Sequence, residues 1–133
     1  MQRAFTRHED WIIAVAAGKL GGREVVASGS TDGTVWVWDL RKAQPVCPPL
    51  AADGGSVVAL GFVQLGRWGG VVTASRGDTI QLWDPRSGVC LQSVRLPIQV
   101  MSLSCMANGQ IVAGGVGGLV AVDLKGSRKG EPI

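Results

Sequence analysis

The sequence predicts an all-β fold made of repeated four-stranded sheets, and three observations support this prediction. Two Trp-Asp pairs, beginning at Trp38 and Trp83, lie 45 positions apart in similar settings. A weaker copy ends at Asp123, 39 positions after Asp84. Short runs of Val, Ile, Leu and Ala recur in each copy between Gly, Asp and Asn residues, which is the pattern of strands joined by hairpins. A period of about 40–45 residues ending in Trp-Asp is typical of propeller blades.

Each copy supplies three inner strands in the same order. Asp32-Gly33 separates the second and third runs of the first copy. It predicts a type I′ hairpin turn, in which both central residues have a positive φ. The predicted inner strands are 11–17, 24–29 and 34–38 in the first copy, 56–63, 71–75 and 79–83 in the second, and 99–105, 110–113 and 119–122 in the third.

A fourth, outer strand is predicted for the first two copies, at 44–50 and 88–94. The first of these contains three prolines, which only an edge strand tolerates. The third copy is followed by a basic tail, 125–133, without an apolar run at the expected place, so we predict that residues 2–7 provide its outer strand. The predicted blades are then 8–52, 53–96 and 97–124.

Three blades cannot close a ring, since closed propellers have about 4–8 blades. The fold class that follows is a set of three four-stranded blades that close a ring by homo-oligomerisation, with strand exchange between the termini. A homodimer has six blades and falls inside the usual range. A homotrimer has nine and falls outside it, but stays open as an alternative.

Composition and charge exclude several classes of function. The net charge is +3, and the basic residues cluster in the tail without interleaved aromatic residues, so no nucleic-acid partner is predicted. No apolar run reaches the roughly 18 residues of a membrane span, and the first residues lack the apolar core of a signal peptide. Three cysteines without a C-x-x-C pair predict free thiols and a cytoplasmic location, with no disulfide framework.

Catalytic and cofactor sites are not predicted. His8, Ser28 and Asp32 have the residue types of a hydrolase triad, but Ser28 lies within a predicted strand and not on the sharp turn that such a nucleophile needs. The glycine run 114–118 lacks the Gly-Lys-Ser/Thr ending and the helix of a phosphate loop. A single histidine and scattered cysteines do not form a metal site. We predict no enzyme activity, no cofactor and no metal.

The chain resembles the WD-repeat propeller family over essentially its whole length. The resemblance is carried by 27–40, which reads Ala-Ser-Gly-Ser-Thr-Asp-Gly-Thr-Val-Trp-Val-Trp-Asp-Leu. It implies a hydrogen-bonded chain inside the first blade that joins His8, Ser28, Asp32 and Trp38. The second copy keeps Thr73 and Trp83, has Asp78 displaced by one position and has Asp53 where the histidine is expected; the third copy keeps none of the four.

The resemblance further implies a non-catalytic scaffold for protein–protein interaction, with partners docking on loops at one face of the disc. A second copy of the chain and an unidentified protein or peptide are the predicted partners. Trp68, next to Arg67, has the pairing enriched at binding hot spots. Two alternatives stay open: a C-terminal fragment of a larger propeller, similar to those in bacterial signalling proteins, and an enzyme that uses the mouth of the channel. The candidate contact residues are Asp10, Trp11, Thr31, Ser56, Trp68 and Arg76.

Overall fold

A computed structural model describes residues 2, 4–52, 55–65, 68–106 and 109–124, which form two antiparallel sheets. Within these residues, no helix has the length and apolar character needed to cross a membrane. The first sheet contains β1 (Ile12–Leu20), β2 (Arg23–Ser30), β3 (Thr34–Asp39), β4 (Gln44–Pro45) and β5 (Leu50–Ala51). The second contains β6 (Val57–Leu65), β7 (Trp68–Ser75), β8 (Gly77–Asp84), β9 (Val89–Cys105), β10 (Gln110–Gly115) and β11 (Gly118–Asp123).

The strands follow one another as neighbours, so both sheets are meanders. The first sheet has the order β1-β2-β3-β4, with β5 also paired to β3, and the second has the order β11-β10-β9-β8-β7-β6. Each predicted inner run forms a strand, which confirms the all-β fold class. We call β1–β5 the first blade, β6–β8 with the first part of β9 the second blade, and the rest of β9 with β10 and β11 the third blade.

The second and third blades are joined by one continuous strand. β9 is 17 residues long. It pairs with β8 from Val89 to Arg95 and again at Val100, where its pairing with β10 begins. The interruption in its pairing with β8 includes Pro97, which has no backbone N–H to donate to a ladder. The outer strand of the second blade therefore continues directly into the inner strand of the third, where the sequence predicts two separate strands.

The outer strand predicted at 44–50 is broken into two short pieces. Gln44 and Pro45 pair with Asp39 and Trp38, and Leu50 and Ala51 pair with Val35 and Thr34. Three prolines interrupt this edge, because each removes a donor from the ladder. The piece at Leu50–Ala51 nevertheless begins with a buried residue, Leu50, which anchors the outer edge of the first blade.

The prediction of a type I′ turn at Asp32-Gly33 is wrong. The loop has three residues, Thr31 to Gly33, and only Gly33 has a positive φ, of 89°. The geometry with two positive φ angles occurs instead at Gly21-Gly22, with φ of 57° and 78°, where Leu20 and Arg23 pair directly across a two-residue hairpin. Two adjacent glycines adopt this conformation without the steric cost that Asp32 would carry.

The blades are stacked face to face, and each contact is a buried apolar layer. Between the first and second blades, Val25, Val35 and Val37 pack with Leu60 and Val71. Between the second and third blades, an equivalent layer contains Val72, Ile80, Leu82, Val100 and Ile111. The middle blade is thus covered on both faces. Among the described residues, no sheet covers the outer face of the first or third blade, although Phe5 and His8 contact the outer face of the first blade at Trp38 and Ser28.

The outer strand predicted at 2–7 is not formed in the single chain. Of these residues, Gln2 and Ala4 to Arg7 are described and lie outside strands. The ring of Phe5 instead packs edge-on against Trp38, with the ring centroids 5.3 Å apart. Pairing of this segment with another chain stays a prediction.

Close packing between the first two blades depends on Gly29. A Cβ atom at this position would lie 2.6 Å from Cγ1 of Val57 and 2.9 Å from Cδ2 of Leu60, closer than carbon atoms normally approach. We expect Gly29→Ala to lower the free energy of unfolding by about 1–3 kcal/mol through overpacking, measured by urea denaturation.

Gly118→Ala is the matched control, because no heavy atom lies within 4 Å of its added Cβ. This change should alter stability by less than about 0.5 kcal/mol. Equal effects of the two substitutions would contradict the assignment of Gly29 to a tight blade contact.

Candidate functional site

A buried hydrogen-bonded group in the first blade is centred on Ser28. Its Oγ accepts a hydrogen bond from Nε1 of Trp38 at 2.9 Å and lies 2.7 Å from Nε2 of His8. Ser28 and Trp38 are both buried. Because His8 precedes β1, Ser28 lies in β2 and Trp38 in β3, the group ties the segment before the blade to its two central strands.

Asp32 does not join this group, contrary to what the resemblance implies. Its Oδ1 accepts hydrogen bonds from the backbone N of Thr34 at 3.0 Å and from Oγ1 of Thr34 at 2.6 Å. An aspartate at the start of a turn commonly bonds to the residue two positions on, and the three-residue loop brings both donors of Thr34 within reach. Nδ1 of His8 is left buried without a hydrogen-bond partner among the described residues.

The surroundings of His8 favour its neutral form. Burial lowers the pKa of His8 below its usual value, although the hydrogen bond with Ser28 and the charge of Asp32 act in the opposite direction. The hydrogen bonds from Thr34 lower the pKa of Asp32, which is exposed and remains ionised at neutral pH. Protonation of His8 would place a positive charge in a partly buried position, and burial disfavours the charged form.

The second blade keeps half of this arrangement. Nε1 of Trp83 donates to Oγ1 of Thr73 at 3.0 Å, and both residues are buried. Asp78 lies within β8, where its carboxylate accepts from Nη2 of Arg95 at 3.2 Å and from Oγ1 of Thr79 at 3.3 Å. The hydrogen bond from Arg95 lowers the pKa of Asp78. Asp78 therefore binds across the strand pair and does not extend the Thr73–Trp83 contact, while Asp53 lies outside the described residues.

The aspartates of the two Trp-Asp pairs have a role that the sequence interpretation missed. Oδ1 of Asp39 accepts hydrogen bonds from the backbone N of Arg41 and of Lys42, at 2.9 and 3.0 Å. Oδ1 of Asp84 accepts from the backbone N of Arg86 at 3.0 Å. These carboxylates close the turns after β3 and β8, a role that their position before a turn indicates in both copies.

Four of the predicted contact residues form a row, which we call the turn-face row: Trp11, Thr31, Ser56 and Arg76. The backbone N of Thr31 donates to O of Trp11, and the backbone N of Arg76 donates to O of Ser56. Oγ of Ser56 donates to O of Thr31 at 3.0 Å, which links the two blades. Asp10 accepts a hydrogen bond from the backbone N of Trp11 at one end of the row. The row presents an exposed indole and an exposed guanidinium along one face.

Trp68 is not part of the turn-face row. Its backbone opens β7 and pairs with Leu65, whereas Arg76 follows the opposite end of the same strand. Trp68 lies between the predicted strands 56–63 and 71–75, but the pairing between β6 and β7 extends to it. Its side chain lies outside the described part of the structure, so its contact role remains a prediction.

The arrangement around Ser28 does not suit nucleophilic catalysis. The Oγ atom is buried and already accepts the indole hydrogen bond, and no carboxylate of the described residues binds Nδ1 of His8. Burial also raises the pKa of Cys105 to about 11 and raises the pKa of Cys47, so both thiols are protonated at neutral pH. The described residues contain no group of three or more histidine, cysteine or acidic side chains that could hold a metal.

Comparison with known proteins gives a family for the first blade. The family model of the WD domain, G-beta repeat, matches residues 1–39. Eukaryotic translation initiation factor 3 subunit I of Drosophila pseudoobscura pseudoobscura is 33% identical over 97 residues, which cover 69% of this chain and 28% of that protein. Nuclear distribution protein PAC1 of Fusarium vanettenii is 28% identical over 101 residues, covering 71% of this chain and 22% of that protein. The chain therefore spans less than a third of the length of these curated relatives.

The shared hydroxyl makes Ser28 and Trp38 energetically dependent on each other. We expect Ser28→Ala to cost about 1–3 kcal/mol, because the buried indole N–H and His8 lose their partner. Combining Ser28→Ala with Trp38→Phe should cost less than the sum of the single changes, as measured by denaturant unfolding of all four proteins. Asp32→Ala with Trp38→Phe is the control pair and should be additive. Coupling in the control pair alone would contradict the observed hydrogen bonds.

Neutral His8 should make stability depend on pH. Its pKa is lowered in the folded state from an unfolded value of about 6.5. The stability it contributes is therefore fully present above that value and is lost as the pH falls through the folded pKa. We expect the Tm of the chain to fall between pH of about 7.5 and about 5.5, and His8→Asn to remove part of this fall. The same slope in both proteins would show that His8 is not the responsible group.

Proposed function

We propose that this chain, whose first blade is a WD repeat, is a non-catalytic scaffold for protein–protein interaction. Its relatives are WD-repeat proteins, and one is by its name a subunit of a larger factor. The only histidine is held in the Ser28 group, and two of the three free thiols are partly buried. The function therefore depends on surface side chains. The most distinctive surfaces are the turn-face row and the outer faces of the first and third blades.

The turn-face row is the proposed contact surface for an unrelated protein or peptide. It spans the first two blades and combines Trp11, which is largely exposed, with the exposed side chain of Arg76. Tryptophan and arginine dominate binding energy at protein interfaces because each combines a large contact area with directional polar groups. The backbone hydrogen bonds along the row hold these residues in place, which reduces the entropy lost on binding.

We further propose that several chains complete a closed ring. The observation that carries this proposal is the exposure of large apolar side chains on the outer faces of the first and third blades, including Val15 and Leu119. Soluble monomers rarely expose such surfaces unless they bind something. A dimer supplies six blades and a trimer nine, and six lies within the range of about 4–8 blades of ordinary rings.

A second candidate is that these residues form one segment of a longer WD-repeat chain. The share of the relatives that the chain covers, 28% for the translation factor subunit, favours this candidate. Other repeats of the same polypeptide would then cover the outer faces. A cytoplasmic location remains part of the proposal, supported by the three free cysteines, since a reducing compartment keeps thiols unpaired.

Self-assembly predicts the mass of the purified chain. We expect light scattering to give twice the 13.9 kDa of one chain, or three times that mass if nine blades close the ring. The mass should stay constant on dilution to low micromolar concentration, because closing a ring makes two contacts at once. A soluble, cooperatively unfolding species of one chain would contradict the assembly.

A further inference from the structure

We infer that a second copy docks on the outer face of the first blade in one defined register, with Phe5 of one chain beside Leu119 of the other. This inference rests on the proposed self-assembly and adds the residues that make the junction. It follows from the contact between the first and second blades, which shows how one blade of this chain covers the next.

The outer face of the first blade matches the covered face of the second blade position by position. Ser28 and Trp38 are each 45 positions before Thr73 and Trp83, and the same interval relates Val15 to Leu60. In both blades these side chains lie on the same side of the sheet, as the strand registers show. Leu60 is only 7% exposed because the first blade covers it, whereas Val15 is 68% exposed. The first blade thus presents a surface of the kind that another blade covers inside this chain.

The outer face of the third blade is equivalent to the inner face of the first blade, which is the face that packs on the second blade. Leu119 is the second residue of its strand, as Val35 is in the first blade. Val35 is fully buried against the second blade and Leu119 is 77% exposed. Gly29, which admits Leu60, has its counterpart in Gly114, which faces the same way next to Leu119. Val15 of another chain would meet Gly114 as Leu60 meets Gly29.

The segment before the first blade already lies where a partner strand would need it. Leu50 is 45 positions after Phe5, pairs with Val35 and belongs to the buried cluster that contains Trp83. Phe5 likewise packs on Trp38, but among the described residues no strand pairs with the segment around Phe5. If the register is repeated, Phe5 pairs with Leu119, and Thr6 with Gly118, as Leu50 and Ala51 pair with Val35 and Thr34.

The contact between the first and second blades near their turns also has an equivalent at the proposed junction. Ser56 immediately precedes β6 and contacts Thr31, the residue after β2. The corresponding residues at the open ends are Trp11, before β1, and Val116, after β10. Both are 77% exposed, and an apolar contact between them would replace the internal hydrogen bond. Trp11 then belongs partly to the junction, while Arg76 stays available to other partners.

A second copy explains the exposed outer faces better than an unrelated protein does, and it leaves Arg76 of the turn-face row for an unrelated partner. Among the described residues, the four most exposed large hydrophobic side chains are Trp11, Val15, Val116 and Leu119. All four occupy positions whose counterparts meet at the contact between the first and second blades. The two faces lie at opposite ends of the stack, so one head-to-tail contact covers both, and its repetition closes a ring.

A disulfide between paired strands tests the register. Antiparallel partners lie about 4.5–5.5 Å apart between Cα atoms, which a disulfide spans. We expect a chain with Phe5→Cys and Leu119→Cys, and with Cys90→Ser to remove the exposed native thiol, to form covalent rings of two or three chains under mild oxidation. Non-reducing electrophoresis detects them.

The control chain carries Thr6→Cys with Leu119→Cys, which shifts the pair by one residue along the same segment. It should form several-fold less of the covalent species. If light scattering shows multi-chain species but both cysteine pairs cross-link equally or not at all, the inferred register is wrong and the proposed assembly stands. If the parent chain has the mass of one chain, both the register and the assembly are wrong.

A charge on the outer face provides an independent test that does not need a disulfide. Val15→Arg should reduce the mass to that of one chain, because the guanidinium would be buried against Gly114 without a partner. Val89→Arg is the matched control, since Val89 is 51% exposed but lies on the outer strand of the middle blade, and its mass should not change. Circular dichroism checks that both variants keep their strands. A folded Val15→Arg chain that still assembles would overturn the inference.

Discussion

Face-to-face packing of sheets is the interaction on which the rest of this structure depends. Strand alternation gives each sheet two faces, and in this chain both faces of a blade carry apolar or small side chains. The middle blade is covered on both sides by layers of valine, leucine and isoleucine. In the described part of the chain, the blades at the two ends have a neighbouring sheet on one side only. The same packing that stabilises the single chain therefore leaves apolar side chains such as Val15 and Leu119 exposed at the two ends of the stack.

Inside the first and second blades, each buried indole N–H requires a hydrogen-bond acceptor on a neighbouring strand. Trp38 and Trp83 each donate to a hydroxyl on the neighbouring strand, because a buried donor without an acceptor is costly. The third blade has no tryptophan at this position and no hydroxyl opposite, and Ile111 and Ala113 pack there against the second blade. It is held instead by its apolar layer and by the unbroken β9, which makes it an extension of the second blade.

The proposed function follows from which polar side chains already have hydrogen-bond partners inside the blades. Ser28 and Thr73 accept indole hydrogen bonds, and Asp39 and Asp84 close turns, so these side chains hold the blades in shape. The groups left for a partner lie in the turn-face row and on the two outer faces. A rigid row of side chains beside apolar faces suits binding of other chains, because little further ordering is needed when contact is made.

The sequence by itself determined the repeat and the positions of the inner strands, because hydrophobic alternation and the 45-residue interval report local conformation and equivalent positions. The contact between Ser28 and Trp38 was implied by the resemblance to WD-repeat propellers, and the structure contains it. The sequence did not determine that Asp32 would bond to Thr34 and leave His8 without a carboxylate. That choice depends on a three-residue loop whose geometry differs from the predicted turn. The row of Trp11, Thr31, Ser56 and Arg76, the separation of Trp68 from it, and the continuity of β9 were also decided only by the tertiary structure. Each depends on how strands from different blades end beside one another, and such contacts between distant segments leave no local pattern in the chain.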